Sequence, residues 1–467
     1  MPVPRRVDRL SVFAFLWGAA TLSHHLASPR WFVHHAWLNV ALVAAAVLVV
    51  LRPPAIVLFT ALAALGFVNV VKLAPEHPNH MLFEGVGDLV IVSAVLLVVH
   101  EARRRGDRGG LSPAERQQLF ERMAAPIRVG ALILYAWALL HKLNWDFLDA
   151  DVSCGGVLLR DILARSSLPT PPAWARGAGM WGSLLVEGAI LFGLAFGPSR
   201  AWAVGLALFF HLFLAQHPVT GLYSFSATML AVLFLFTPPA FTDAIGEQVE
   251  RARRVVRRRP AVTGALAATA LALTLLAVGS GEESRRLLWN VWALFAVCIY
   301  GALAWRHRRA FEIAGVFRIR PAVLWVFPLL LLVNGASPYL GLKTHASFSM
   351  FSNLRTEDGR TNHMFLGRLS LGTWQDDLVD IVDSDLPSLT KLKDADLRLT
   401  YFHFRRLAGT ARRDFGVTYR HNGELRVLSV RDGIANDPEA ATPPPWWMHK
   451  LLRFRGVDRN GRTRCWN

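Results

Sequence analysis

Residues 81–99 read Met-Leu-Phe-Glu-Gly-Val-Gly-Asp-Leu-Val-Ile-Val-Ser-Ala-Val-Leu-Leu-Val-Val, charged only at Glu84 and Asp88 and followed by the cluster Arg103, Arg104, Arg105 and Arg108. A helix that crosses the hydrocarbon core of a bilayer needs about 20 mostly apolar residues, and basic side chains collect at its cytoplasmic end. This stretch meets both requirements and is read as a membrane-spanning helix. Working outward, the same pattern recurs at Leu10–Leu26, Trp31–Leu51 and Ala55–Leu73, then at Val129–Lys142, Met180–Phe196, Ala201–His217 and Gly221–Phe236. Three further runs follow at Ala261–Val278, Leu287–Trp305 and Ala322–Ser337. The expected fold class is therefore an α-helical polytopic membrane protein of about 11 transmembrane helices. The first run lacks a small-residue cleavage site before the second, so it is read as a retained helix rather than a signal peptide.

Composition agrees. Of 467 residues, 53% are hydrophobic and 18% charged, where a soluble domain carries about 25% charged residues. The 51 basic against 34 acidic residues leave +17, a balance that raises nucleic acid as a partner. The placement of the arginines excludes it. Arg5, Arg6 and Arg9 precede the first run, Arg52 follows the second, and Arg103–Arg105 follow the fourth. Arg200 follows the sixth, the run Arg251, Arg253, Arg254, Arg257, Arg258, Arg259 the eighth, and Arg306, Arg308, Arg309, Arg318, Arg320 the tenth. If the spans alternate, all of these lie on one side, which the positive-inside rule makes cytoplasmic. The bilayer is then the expected partner, with the N-terminus inside and the C-terminus outside a cell membrane.

After Ser337 the chain turns polar, and residues 338–467 are expected to form a small, mostly β extracytoplasmic domain. Asn422-Gly423 between alternating segments marks a hairpin. Phe348-Ser-Met-Phe and Leu397-Arg-Leu-Thr-Tyr-Phe also read as extended, and Trp446–Leu452 as a short amphipathic piece. Asp376, Asp377, Asp380, Asp383 and Asp385 lack the glycine and terminal glutamate of an EF-hand and read as solvated surface. The expected organisation is residues 1–245 as one transmembrane domain, 246–337 as additional helices and 338–467 as the β-rich domain. The cysteines are Cys154, Cys298 and Cys465. No disulfide scaffold or four-cysteine zinc site is possible, but Cys154 and Cys465, both on the outer side, can pair while Cys298 is expected buried and reduced.

Ionisable residues inside spans are costly and mark sites. Lys72, His80, Glu84, Asp88, Lys142, Glu187 and His211 are the candidates. His80, Glu84 and Asp88 stack at i, i+4 and i+8 on one helix face. His80 and Lys142 fall at the same membrane face. A lysine stripped of hydration becomes a usable base, whereas one at a helix end also snorkels to the interface. Glu187 and His211, mid-span, serve either a site or an interhelical hydrogen bond. The doublets His24-His25 and His34-His35 are read as interfacial, since neighbouring side chains on a helix point apart. No Gly-rich phosphate loop, HExxH, GxSxG or CxxC pattern is present, and no metal is expected.

Several segments resemble a known family. Asn79-His80-Met-Leu-Phe resembles the Asn-His motif of vitamin K-dependent γ-glutamyl carboxylases. His141-Lys142-Leu143-Asn144-Trp145-Asp146-Phe147 resembles their Lys-Leu-Asp-x-Asp-Trp stretch, and Phe210-His211 followed by Gly221-Leu-Tyr-Ser-Phe resembles their later segments. In order and separation these cover about residues 10–240, the HTTM domain shared by those carboxylases and many bacterial membrane proteins. Tyr339-Leu-Gly-Leu-Lys-Thr through Phe348-Ser-Met-Phe-Ser-Asn-Leu resembles the start of the outer domain in bacterial members. Glu84 stands where the animal enzymes carry an aromatic residue.

The resemblance implies a reaction. A lysine deprotonates reduced vitamin K or another quinol, O2 converts it to a strong base, and CO2 adds to the carbanion that this base creates. Lys142 matches that lysine and His80 its histidine partner. Asn79, Glu187, His211, Tyr223 and Ser224 would line or brace the quinol pocket, and a protein or peptide substrate would approach from the outer face. The alternative is a non-enzymatic HTTM module, such as a receptor, an immunity protein or a peptide-maturation partner, that binds through its outer β domain.

Overall fold

The computed structural model describes residues 7–27, 36–107, 109–164, 172, 174–218 and 221–465. Arg5, Arg6, His34, His35 and Arg108 lie outside the described residues. The fold is mostly helical (64%) with a small antiparallel sheet near the C-terminus. In chain order the helices are α1 (Arg9–Ala27), α2 (Ala36–Leu51), α3 (Ile56–Leu73), α4 (Asn79–Arg104), α5 (Pro113–His141), α6 (Cys154–Ala164) and α7 (Trp174–Ala195). They continue as α8 (Arg200–Leu214), α9 (Gly221–Phe234), α10 (Pro239–Arg258), α11 (Pro260–Gly279), α12 (Glu282–Arg306) and α13 (Val326–Ala336).

Among the described residues, six helices are long and apolar enough to cross a membrane: α3, α4, α5, α7, α11 and α12. α2 and α8 are apolar but shorter. Eleven crossings are therefore more than helix length and composition establish. α9 and α10 meet at a 107° bend, at Pro238-Pro239, where a proline cannot continue the preceding helix. α10 is amphipathic and holds Arg251, Arg253, Arg254, Arg257 and Arg258. The arginine run is thus a helix rather than a connecting loop.

The chain folds into two compact units, one of Met1–Lys72, His80–Ile133 and Gly188–Leu329, the other of Leu73–Asn79, Leu134–Glu187 and Leu330–Asn467. In the first unit, three arginines close backbone carbonyls at helix ends and in connecting segments. Arg9 Nη2 donates to the Thr237 carbonyl at 2.6 Å, and Arg128 donates to the carbonyls of Leu235 and Val316, each at 2.8 Å. Arg200 donates to Leu194 in the last turn of α7 at 3.1 Å and to Phe311 at 2.8 Å. The last carbonyls of a helix have no intrahelical donor, and a guanidinium with five N–H groups supplies several at once. Arg9 and Arg200 are consequently buried rather than displayed as free surface charge.

The second unit contains the sheet. Its strands are β1 (Leu378–Ser384), β2 (Leu397–Thr400), β3 (Phe415–His421), β4 (Glu424–Arg431), β5 (Ile434–Ala435) and β6 (Val457–Asp458), in the order β5-β4-β3-β1-β2-β6. Four short helices accompany them: α14 (Pro387–Asp394), α15 (Tyr401–Gly409), α16 (Pro438–Ala441) and α17 (Trp446–Leu451). β3 alternates buried and less buried side chains, placing Phe415, Val417 and Tyr419 in a core with Val379, Ile381, Leu399 and Phe404. The hairpin falls at Asn422-Gly423, with φ of 52° and 83°, the left-handed pair that a two-residue turn between twisted strands demands.

Three expectations need correction here. Leu397–Thr400 is extended, but Tyr401 and Phe402 begin α15, started by the Thr400 side chain accepting from His403 N. Phe348–Phe351 is not a strand: Ala346, Phe348, Phe351 and Asn353 all have positive φ. Cys154 and Cys465 form a disulfide, with Cα atoms 4.9 Å apart. Cys298 is free but exposed on α12 rather than buried.

Candidate functional site

The candidate residues gather in two clusters, one in each unit. In the second unit α5 ends at His141, and Lys142 follows in a turn whose amide donates to Leu139 at 3.1 Å. Asn144 holds this turn. Its Nδ2 donates to the carbonyls of His141 at 2.7 Å and Ser352 at 2.6 Å, while Oδ1 accepts from Phe147 N at 2.8 Å. The turn fixes the direction of the lysine. Lys142 Nζ donates to Glu187 Oε2 at 2.6 Å and to the Ala138 carbonyl at 3.2 Å. The second carboxylate oxygen of Glu187 accepts from Ser183 Oγ at 3.2 Å, one helical turn earlier on α7. Lys142 is 4% exposed and Glu187 7%, so this is a buried ion pair rather than a snorkelling lysine.

His141 has a different role from its neighbour. Its ring lies against Trp137 and Tyr339, with centroids 5.1 and 5.6 Å away, and its Nε2 hydrogen-bonds the Gly335 carbonyl at 3.0 Å. Asn79 belongs to the same unit, and its Oδ1 accepts from Phe348 N at 2.5 Å. That bond holds the left-handed segment around Phe348 in place.

The first unit contains the histidine and the two carboxyl groups of α4. His80 Nε2 is 2.7 Å from Ser224 Oγ, and the same hydroxyl meets His24 Nδ1. One turn along, Glu84 accepts from Thr228 Oγ1; one turn further, Asp88 Oδ1 accepts from Trp17 Nε1 at 3.0 Å. His80 and Glu84 on α4, and Ser224 and Thr228 on α9, each stand four apart, so equal spacing makes the two pairs a ladder. Asp88 is admitted by Gly66 on α3, where any Cβ would collide with the carboxylate. A narrow cavity opens beside this ladder, lined by Trp17, His24, Asn69, Met81, Glu84 and Asp88. His24 and His25 are buried, with His25 Nδ1 hydrogen-bonded to the Thr21 carbonyl at 2.9 Å. Lys72, in contrast, is exposed at the end of α3.

His211 and Tyr223 are buried but contribute differently. His211 packs edge-on against Phe225 at 4.9 Å, and Phe225 lies 6.0 Å from the His80 ring. Tyr223 packs on Trp289 at 5.3 Å and beneath the Arg286 guanidinium at 5.6 Å. Sequence reasoning named His80, Ser224, Lys142 and Glu187 but missed Thr228, Trp17 and Gly66. The signal for Thr228 was present in the four-residue spacing shared with Glu84. Among the described residues no three His, Cys, Asp or Glu side chains converge as metal ligands. Comparison with family models, with curated proteins and with solved structures finds no match to this chain.

Proposed function

We propose that this chain is a multi-pass membrane enzyme of the HTTM, vitamin K-dependent carboxylase-like kind, in which Lys142 is the general base toward a quinol hydroxyl. The observation that carries this reading is the buried pair Lys142–Glu187, with the carboxylate steadied by Ser183. An ammonium and a carboxylate in hydrogen-bond contact away from water can pass the proton between them, because low polarity narrows the gap between the charged and neutral forms of the pair. The lysine hands its proton to Glu187, takes one from the quinol hydroxyl, and ends as an ammonium beside the new oxyanion. Glu187 is the final proton acceptor and Lys142 the group that touches substrate. The quinol with O2 supplies the oxygenation and the strong base for carboxylation or another carbanion step. A group that works as an amine base must be shielded from water, and exposures of 4% and 7% meet that need. His80, held by Ser224, is the second residue of the reading; Asn79, His211 and Tyr223 brace backbone and rings.

The experiment is quinol-dependent O2 consumption and epoxide formation by purified protein. Wild type is expected to turn over, K142A to fall to background, and E187Q to be strongly reduced because the final acceptor is gone. Equal turnover in wild type and K142A overturns the assignment.

Sidedness belongs to the same proposal. The arginines of α10 favour the cytoplasm and a disulfide in the second unit favours an oxidising compartment, which supports reading the C-terminal domain as lying outside a cell membrane. A protein or peptide partner at that face would meet Leu425 and Val427, which leave the same face of β4 at 61% and 58% exposure.

A further inference from the structure

The second unit carries a group of cations that the quinol reading does not use. The loop Leu73–Asn79 belongs to this unit and joins two helices of membrane-crossing length, α3 and α4. Its Glu76 is met by two guanidinium groups, Arg406 at 2.8 Å and Arg453 on the other carboxylate oxygen. The backbone amides of Thr344 and His345 donate to the Arg453 carbonyl at 3.1 and 3.0 Å, which brings Lys343 to the same place. Lys343 lies close enough to His77 and His345 for its charge to disfavour their protonation.

The histidines are acceptors here, not additional charges. His403 Nδ1 is committed to the Phe454 carbonyl at 2.8 Å, so its Nε2 accepts from Arg406 at 3.1 Å. His345 Nε2 stands 3.4 Å from Arg453 Nη1. Burial and the neighbouring cations hold all three rings neutral, His77 down to about 4, His403 down to about 3 and His345 well below its ordinary value.

The inventory of donors and acceptors does not balance. Arg406 and Arg453 share the single carboxylate of Glu76, Lys343 adds a cation beside His77 and His345, and Lys450 donates to the Ala74 carbonyl of the same loop at 2.7 Å, so positive charge is in excess. Among the described residues Lys343 has no hydrogen-bond or ion-pair partner, and the buried Nε–H groups of Arg406 and Arg453 have no acceptor. Buried donors without acceptors are rare because each forfeits its hydration, and guanidinium and ammonium groups together form the donor set that oxyanions take. We infer that Lys343, Arg406 and Arg453 form a binding site for a phosphate-class oxyanion, open at the loop between α3 and α4. An oxyanion supplies the negative charge that this excess calls for, and its several oxygens supply acceptors for Lys343 and for the Nε–H groups of Arg406 and Arg453. The phosphate comes either from solution or from a lipid headgroup, and the loop's position between two membrane-length helices allows both.

The test uses the full-length protein purified in detergent and stripped of lipid. Inorganic phosphate is titrated calorimetrically, with equimolar chloride as the ionic-strength control, and short-chain phosphatidic acid is titrated in parallel. Wild type is expected to bind saturably, K343Q about tenfold more weakly, and K343R close to wild type. K343Q is the primary variant because Lys343 has no partner to lose, and its unfolding midpoint without phosphate should equal that of wild type. K142A should bind like wild type, so the site stands or falls apart from the oxygenation reading. Phosphatidic acid binding well above inorganic phosphate assigns the lipid source, and equal binding assigns the free anion. Equal affinity in wild type and K343Q, or binding of neither ligand, overturns the proposal.

Discussion

Lys142 and Glu187 show how a single contact separates stability from chemistry. Removing one member of a buried ion pair leaves the other charged and unpaired, which costs about 3–5 kcal/mol, whereas replacing both by apolar groups is often near neutral. K142M should therefore lower unfolding stability by about that amount, and K142M/E187L should recover most of it. Denaturant unfolding in detergent measures both, and turnover should be absent from each. If the double variant is as unstable as the single one, the pair's partner is misassigned. A second residue-scale prediction concerns His77, whose proton affinity burial and Lys343 push down from 6.5 to about 4. Between those values the unfolded chain binds the proton and the folded one does not, so stability is complete above pH 6.5 and falls as the pH drops toward 4. H77Q should flatten that fall by up to about 3 kcal/mol, read as unfolding midpoints across the same pH range. Lys142, Glu187 and His80 were each legible as charges that a membrane span should not contain. Their pairing was not, because contacts across 45 residues for Lys142–Glu187 and 144 for His80–Ser224 depend on helix packing that one sequence does not encode locally.

At the level of elements, legibility followed the strength of local physics. The Asn422-Gly423 hairpin was readable because only a few residue types accept two consecutive left-handed conformations. The helical runs were readable because only a helix satisfies every backbone group within one apolar segment inside a bilayer. The segment around Phe348 was not, since its four positive-φ residues are held by distant groups such as the Asn79 side chain. Nor was the α10 helix, whose arginines read only as a basic cluster after an apolar run although its apolar side gives it a helical face. The close approach of α3 to α4 has its own test. Gly66 leaves room for the Asp88 carboxylate, and G66A must displace either that side chain or the helix. Overpacking of this kind costs about 1–3 kcal/mol. D88A would empty the space, so G66A should cost much less in a D88A background, as a double-mutant cycle of unfolding midpoints would reveal. Additive losses would mean that the two positions do not touch.

For the whole molecule, the excess of positive charge divides into three uses. Some arginines, Arg9, Arg128 and Arg200, close carbonyls inside the helical unit. Others, in the second unit, surround Glu76. A third group, Arg251, Arg253, Arg254, Arg257, Arg258 and Arg259, is exposed, where basic side chains would respond to the sign of a membrane surface. Orientation should thus rest on α10 rather than on the total of +17. The disulfide gives an independent marker, because Cys154 and Cys465 stay joined only where the compartment is oxidising. The two markers belong to different parts of the chain and predict opposite sides. Single cysteines placed at Arg254 and at Asp432, in a background with the other cysteines replaced, should react with an impermeant maleimide only from the cytoplasmic side and only from the outer side, respectively. Both positions are exposed, so failure to label cannot be ascribed to burial. Substituting the five arginines of α10 by glutamine should weaken that asymmetry, whereas R200Q should leave it unchanged and instead lower stability by about 1–3 kcal/mol through the carbonyls it uncovers. Labelling of both cysteines from one side would mean an even number of crossings between residues 254 and 432, and labelling of both from the cytoplasmic side would remove the external placement of the C-terminal domain.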